Sequence, residues 1–275
     1  MRNQASGGRS AGPVPIAAPR GELSSLVKAS YPEVRISDLV VNGDLRDRIL
    51  WVVREHRERE TLEAEGMLPR RKFLFSGPPG TGKGMTAAAM ACELGLPLFK
   101  IRLDAVITKF LGETAAKLRL IFDAMHTARG VYFFDEVDAL ASSRGADNDI
   151  GEARRMLNSF LQFLEEDQSL SLIVAATNHR SLLDAALFRR FDEAFAYANP
   201  SPEEARQVLR NNLLRFDREA IAWQEVDSFT GDLSQADLAA AAENAGRIAV
   251  IAHGRELTTE VLCRALRDRA NIHRE

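Results

Sequence analysis

Gly77, Gly80, Gly82 and Lys83 are spaced so that a backbone can wrap around a phosphate. The segment Gly77-Pro78-Pro79-Gly80-Thr81-Gly82-Lys83 turns tightly, and its glycines put no Cβ atoms between the N–H groups and an anion. Lys83 adds a full positive charge within reach of terminal phosphates. A loop of this kind normally continues with Ser or Thr, whose hydroxyl binds Mg2+. This chain has Gly84 instead. Thr86 is a poor substitute, because two residues along a helix is a rotation of about 200°. Mg2+ keeps water in its shell readily, so water can take the vacant place. Phosphate binding is expected to survive Gly84, and the rate of hydrolysis is what it puts in question.

Other residues have chemistry to offer. Asp135-Glu136 follow the apolar run Val131-Tyr132-Phe133-Phe134, and Asn178 follows Leu172-Ile173-Val174-Ala175-Ala176-Thr177. Runs that are apolar throughout are strands buried on both faces, as in a parallel sheet. Ligands of such sheets sit at the strand C-termini, where these polar groups stand. Arg189 and Arg190 form an adjacent cationic pair.

The positioning elements are legible around these residues. Lys72-Phe73-Leu74-Phe75-Ser76 is a strand feeding the glycine loop, and Met85–Leu94 is helix-forming sequence that opens from it. That strand–loop–helix context makes a phosphate loop specific, and the helix N-terminus adds partial positive charge. Pro97 to Leu103 reads as a strand, a helix carries Leu118, Ile121 and Phe122, and Glu152 to Glu166 is a helix. Ser142 to Asp149 is a loop by composition, Leu183 to Phe191 a short helix, and Phe195-Ala196-Tyr197 a last strand. Upstream, Asn42-Gly43-Asp44 starts a helix with Leu45, Ile49, Val52 and Val53 on one face, and its charged continuation Arg54 to Glu60 is a solvated face. From Ser201 the pattern is purely helical. Ser201-Pro202-Glu203-Glu204 is a strong helix start, Ser234-Gln235-Ala236-Asp237 is a capping box with Asp in the reciprocal position, and Thr259 to Arg269 is the final helix.

Residues 1–21, rich in Gly, Ala, Ser, Pro and Arg, lack the continuous apolar core of a signal peptide and read as a disordered arm. The expected organisation is therefore an arm (1–21), an α/β core (22–200) and a helical lid (201–275). The chain has 275 residues, 45% hydrophobic and 27% charged, with a net charge of −3. This balance suits a cytoplasmic globular protein and argues against nucleic acid as the main partner. No apolar run reaches membrane-spanning length. Cys92 and Cys263, both in helix-like sequence and far apart, show neither a metal spacing nor a disulfide framework.

Together these motifs resemble the AAA family of ATPases, over roughly Ile36 to Arg269, and most of all small single-ring bacterial members without a large N-terminal domain. Gly77 to Lys83 resembles the Walker A loop, Phe133-Phe134-Asp135-Glu136 the Walker B strand and Asn178 the family's sensor 1. Phe188-Arg189-Arg190-Phe191-Asp192 is similar to its arginine-finger segment, although Glu193 stands where many members have a further arginine. Ser234-Gln235-Ala236-Asp237-Leu238 is similar to its lid motif, with Gln235 in place of the usual Gly.

The resemblance implies a parallel-sheet P-loop NTPase domain followed by a small all-α lid, with ATP and Mg2+ between them. Gly77, Pro78, Pro79, Gly80, Thr81, Gly82, Lys83, Gly84, Met85 and Ala236 would contact the nucleotide. Asp135 would position Mg2+ through water. Glu136 would activate the attacking water and Asn178 align it. Arg189 and Arg190 would reach into a neighbour's site, in a ring that is usually a homo-hexamer. Lys109-Phe110-Leu111-Gly112 matches the pore-loop pattern of unfolding members, in which an aromatic grips an extended peptide without reading its sequence. Arg144 and Asp147-Asn148-Asp149 fall where a second pore loop would be.

Two functions fit. One is a ring-forming ATPase that remodels, unfolds or translocates a protein, alone or with a partner enzyme such as a protease. The other is a nucleotide-binding switch or assembly protein whose turnover is slow because of Gly84. A DNA-acting ATPase is a third option, disfavoured by the acidic balance.

Overall fold

Segments whose sequence is apolar throughout become the centre of a sheet. The computed structural model describes residues 21–108, 111–140, 149–180, 188–216, 218, 221–252, 254 and 256–272. Strands β1 (Val27–Ser30), β2 (Lys72–Ser76), β3 (Leu98–Ile101), β4 (Val131–Phe134), β5 (Leu172–Thr177) and β6 (Glu193–Ala196) form one sheet in the order β1-β3-β4-β5-β2-β6. Every residue of β4 and β5 is buried. β2 lies between β5 and β6 and is parallel to both, and β4 lies between β3 and β5 in the same sense. The parallel-sheet α/β fold expected from the sequence is the fold found.

β1 closes the β3 edge and runs antiparallel to it, pairing Val27 with Ile101 and Ser30 with Leu98. It has no counterpart in the sequence reading, because four residues with one buried apolar side chain give little periodicity. It caps an edge that would otherwise present unpaired backbone.

Short helix α1 (Leu23–Leu26) precedes β1, and α2 (Gly43–Arg57) and α3 (Arg59–Ala64) precede β2. The charge run Arg54 to Glu60 thus belongs to helices, although His56 within it is buried. α4 (Lys83–Leu94) follows the glycine loop, α5 (Leu103–Val106) and α6 (Leu111–Thr127) follow β3, and α7 (Asp149–Glu166) leads to β5. The strand expected over Pro97 to Leu103 is four residues long, because its last residue already opens α5. The expected 142–149 loop lies outside the described residues except for Asp149, which starts α7. Of the expected helix over 183–191, residues 183–187 lie outside the described set.

The pleat of the sheet divides the core. Phe134, Ile173 and Ala175 pack with Phe122 of α6 and Phe160 of α7 on one face. Phe73, Phe75, Phe133 and Val174 pack with Ile49 of α2 and Met90 of α4 on the other. Among the described residues, eight ring pairs of the two clusters have centroids 4.7–6.0 Å apart, and three of them meet edge to face.

From Pro202 the regular elements are helices: α8 (Pro202–Asn212), α9 (Trp223–Asp227), α10 (Gln235–Ala252) and α11 (Thr259–Ile272). α8 starts as a complete capping box. Ser201 Oγ accepts from Glu204 N, and Glu204 accepts from Ser201 N at 2.8 Å. At α10 the box is also reciprocal, with Asp237 accepting from Ser234 N and Ser234 Oγ accepting from Asp237 N. Asp237 accepts a third bond, 2.8 Å from Arg269 Nε of α11, so one buried carboxylate fixes both helices. Their core includes Leu209, Leu238, Ala242, Ala245, Leu262 and Leu266, where small alanine side chains let α10 pack closely.

Candidate functional site

The glycine loop is held by contacts that only glycine permits. Gly77 follows β2 with φ +150°, and a Cβ there would collide with the backbone carbonyl of Tyr197. Gly80 has φ +73°, and a Cβ there would collide with Ser234 Oγ at the start of α10. Side chains at either position would push the loop away from the chain segments that shape it. Thr81 Oγ1 donates to Pro78 O at 2.8 Å, tightening the turn. α4 begins at Lys83, so its first N–H groups open toward the loop.

Lys83 is buried, and its ammonium donates to Gly77 O at 2.7 Å, Pro78 O at 2.8 Å and Asn178 Oδ1 at 2.8 Å. Burial lowers its pKa, and the nearby charges of Asp135, Asp138 and Glu136 oppose that shift. The loop cation is thus held by carbonyls and one carboxamide, and bonded directly to the end of β5.

Asp135 and Glu136 leave the end of β4. Asp135 Oδ2 accepts from Lys100 Nζ of β3 at 3.1 Å. Glu136 has φ +54°, a left-handed backbone that costs about 1–3 kcal/mol for a side chain of this kind. Ala139 N donates to Glu136 O at 2.8 Å, so a 3-10 turn over Val137–Leu140 holds the strained residue. Asp138 in that turn accepts from Asn178 N at 3.4 Å and positions it. Neither Lys100 nor Asp138 figured in the sequence reading. Asp138 had a local signal, a third carboxylate three residues after Asp135, whereas Lys100 had none.

Lys83, Asp135, Glu136 and Asn178 face one cleft of about 780 Å3, and Lys100 and Asp138 stand behind its lining. Pro79, Gly80, Thr81, Gly82, Lys83, Gly84 and Met85 line it together with Asp135, Glu136 and Asn178. The rest of the lining comes from the linker before α2 (Ser37, Asp38, Val40), from α8 and its end (Val208, Asn212, Leu214) and from α10 (Gln235, Ala236, Ala239). Gly77 and Pro78 contribute through the carbonyls bonded to Lys83. Asn211 joins this lining, and an anion cradle beside a recess of mixed apolar and polar side chains suits a nucleotide. Only Ala236 of the linker and helical lining was expected from sequence.

Backbone and side chain tie this lining together. Ala236 N donates to Gly80 O at 3.0 Å, and Gln235 Nε2 donates to Val40 O at 2.6 Å. Gln235, unusual against the family motif, thus links α10 to the linker.

Thr86 is fully buried and donates to Gly82 O at 3.1 Å, so its hydroxyl is turned away from the cleft as its position on α4 implies. A Cβ on Gly84 would lie 3.5 Å from the Phe133 ring, an ordinary contact, so packing does not require glycine there.

Arg189 and Arg190 are not among the residues lining the cleft. Arg190 forms an ion pair with Glu165 near the end of α7. Glu193 turns inward, accepting from Arg48 Nε at 2.7 Å and pairing also with Arg70. Asp192 accepts from the backbone N–H groups of Arg71 and Lys72 at 2.8 and 2.9 Å, anchoring the segment that follows the arginines. Lys109, Phe110 and Arg144 lie outside the described residues. Leu111 opens α6, with its side chain outside that set. Just before them, Thr108 N donates to buried Thr114 Oγ1 at 3.0 Å.

Residues 73–199 match the family model described as "ATPase family associated with various cellular activities (AAA)". The chain is 38% identical over 200 residues to an uncharacterized AAA family ATPase, y4kL, of Sinorhizobium fredii, covering 73% of this chain and 60% of that protein. It is 33% identical over 243 residues to ATP-dependent zinc metalloprotease FtsH 1 of Symbiobacterium thermophilum, covering 84% of this chain and 40% of that protein. The chain thus spans about 60% or less of the length of these relatives. Its fold is similar to the crystal structure of the FIGL-1 AAA domain, with a TM-score of 0.70 and 23% identity over 91% of both chains. No helix among the described residues is long and apolar enough to cross a membrane.

Proposed function

This chain belongs to the AAA family of ATPases, and from that premise we propose that it binds ATP in the cleft and hydrolyses it within a ring of identical subunits. The observation that carries the reading is the meeting of Lys83, Asp135, Glu136 and Asn178, from three different strand ends, on one cleft.

The chain's own groups divide the work. The loop amides and Lys83 bind the β- and γ-phosphates, with phosphate oxygens replacing carbonyls that now accept from the ammonium. Glu136, its backbone already fixed, accepts a proton from the attacking water, and Asn178 orients that water. Val40, Val208, Ala236 and Ala239 enclose the base. Asp135 fits the role of holding Mg2+ through water. Gly84 offers no side-chain oxygen and Thr86 is turned inward, so the protein would contribute this carboxylate and water would supply the rest. When bound, the ion neutralises charge on the phosphates.

Arg190 and Arg189 act on the neighbouring subunit's nucleotide. A finger of this kind is worth ~10³–10⁵ in rate. Arg190 must exchange Glu165 for that phosphate, so the pair keeps the cation folded back in a single chain. Residues 201–275 act as a lid, since Ala236 and Ser234 touch the phosphate loop directly and report what lies in it. The work done is the remodelling or threading of a protein, for which the Lys109-Phe110-Leu111 pattern is the support.

The test is steady-state ATPase activity across protein concentrations for wild type, Glu136→Gln and Arg190→Ala. Turnover per subunit that rises with concentration, together with loss in both variants, supports a shared site. The second reading, a nucleotide-gated assembly protein, is favoured by Gly84. Wild type that binds ATP yet turns over no faster than Glu136→Gln would select it.

A further inference from the structure

Lys100 is a cation at the edge of the cleft, bonded to Asp135 of its lining. Its ammonium donates to Asp135 Oδ2 at 3.1 Å, the carboxylate assigned above to Mg2+. β3 and β4 are parallel and in register with Lys100 opposite Phe133, and the two-residue period puts Asp135 on the same side of the sheet as Phe133. Lys100 Nζ lies 5.8 Å from the centroid of the Phe133 ring. The Cβ that Gly84 lacks would lie 3.5 Å from the same ring. Two features therefore meet over one phenylalanine. A hydroxyl oxygen is missing at position 84, and a positive charge is present at position 100.

Their charges make them complementary. Removing an oxygen ligand weakens the hold on a divalent cation, and an ammonium on the remaining carboxylate weakens it further. Through Asp135, which shares the cleft with the phosphate loop, the same ammonium is placed where it can add positive charge toward a nucleotide. Lys83 is drawn into the loop by three acceptors, so Lys100 adds a second positive charge from the opposite side of Asp135's strand end. Lys100 is half exposed, so its side chain can follow an incoming phosphate without disturbing the core.

We propose that Lys100 is a built-in counter-cation that allows nucleotide to bind with little dependence on Mg2+. The inference rests on the nucleotide reading of the cleft. Asp135 holds the ammonium in place when the cleft is empty, and a nucleotide phosphate shares it when the cleft is filled.

Equilibrium titration of the full chain with a fluorescent ATP analogue, in excess Mg2+ and in excess EDTA, tests this without relying on turnover. Wild type is expected to lose less than about threefold in affinity when Mg2+ is removed. Lys100→Met, which keeps length but not charge, is expected to bind about tenfold more weakly in EDTA, in line with the loss of one hydrogen bond from a charged donor, and to recover in Mg2+. Lys100→Arg should behave like wild type. Gly84→Ser, a second route to the same point, should make binding more dependent on Mg2+. Equal dependence on Mg2+ in wild type, Lys100→Met and Gly84→Ser would overturn the proposal while leaving the nucleotide reading intact. Failure of wild type to bind under either condition would overturn that reading, and this proposal with it.

Discussion

Lys83 Nζ and Asn178 Oδ1 stand 2.8 Å apart, joining the phosphate loop to the end of β5 by one hydrogen bond. Asn178 is itself held by Asp138 through its backbone N–H. On the proposed function, the residue that aligns the attacking water is therefore also a partner of the residue that meets the phosphates, and phosphate arriving at Lys83 would release the Asn178 carboxamide. Asn178→Ala is expected to bind ATP within a fewfold of wild type while kcat falls about a hundredfold, the usual loss when one preorganised polar group is removed. Parallel measurements of affinity and single-turnover rate check this. An equal loss in both would assign Asn178 to binding.

Gly84 separates backbone effects from metal effects. It occupies the first turn of α4, no positive φ holds it there, and a Cβ would meet Phe133 at an ordinary distance. Gly84→Ala should raise unfolding stability by about 0.5–1 kcal/mol through the unfolded chain and helix propensity. It adds no oxygen and should leave the Mg2+ requirement alone. Gly84→Thr should raise turnover or lower the Mg2+ needed for it. Urea unfolding and Mg2+ titration of ATPase activity distinguish the two effects.

Glu165 holds Arg190 within its own chain, and the carboxylate is largely exposed. An exposed pair contributes ~0.2–1 kcal/mol, so freeing the arginine should favour contact with a neighbour by about two- to fivefold. Glu165→Gln is expected to lower the protein concentration at half-maximal turnover by that factor, whereas Arg190→Ala abolishes turnover at every concentration. An unchanged concentration dependence in Glu165→Gln would mean that the pair does not oppose assembly.

His56 gives a pH dependence of known sign. It is buried in the last turn of α2, with Nε2 2.6 Å from Arg70 O, and burial is the main cause that lowers its pKa. The unfolded imidazole titrates near pH 6.5. Below that pH the unfolded chain takes up a proton that the folded chain resists. Stability is then lost as pH falls from about 6.5 toward the lower folded value, and His56 contributes no slope above that range. Chemical denaturation at pH 5.5 and 7.5 (both chosen as ~one unit from the free value) should show a smaller acid loss in His56→Leu than in wild type.

Local spacing made the phosphate loop legible. Strand, glycines, lysine and helix occupy one short stretch, so residue type and order determine the local turn before any distant contact forms. Asp135, Glu136 and Asn178 were legible for a related reason, since a wholly apolar run ending in a polar residue marks the C-terminal edge of a buried strand. The capping boxes at Ser201 and Ser234 were readable because their partners lie three residues away.

What could not be read is what depends on strand order and helix crossing. β1 became visible only as the partner of β3. Lys100 meets Asp135 because β3 and β4 are neighbours in register, and nothing in the sequence separation of 35 encodes that. Gln235 meets Val40 across 195 residues, and the recess formed by the linker, α8 and α10 exists only once α10 has docked on Gly80. Glu165 and Arg190 are paired only by the close of α7 against the segment before β6. The sequence by itself determined which residues carry charge and where each strand ends, because those are local properties. Tertiary structure alone decided which charges face each other, because Coulomb and hydrogen-bond energies depend on distances that only the packed fold defines.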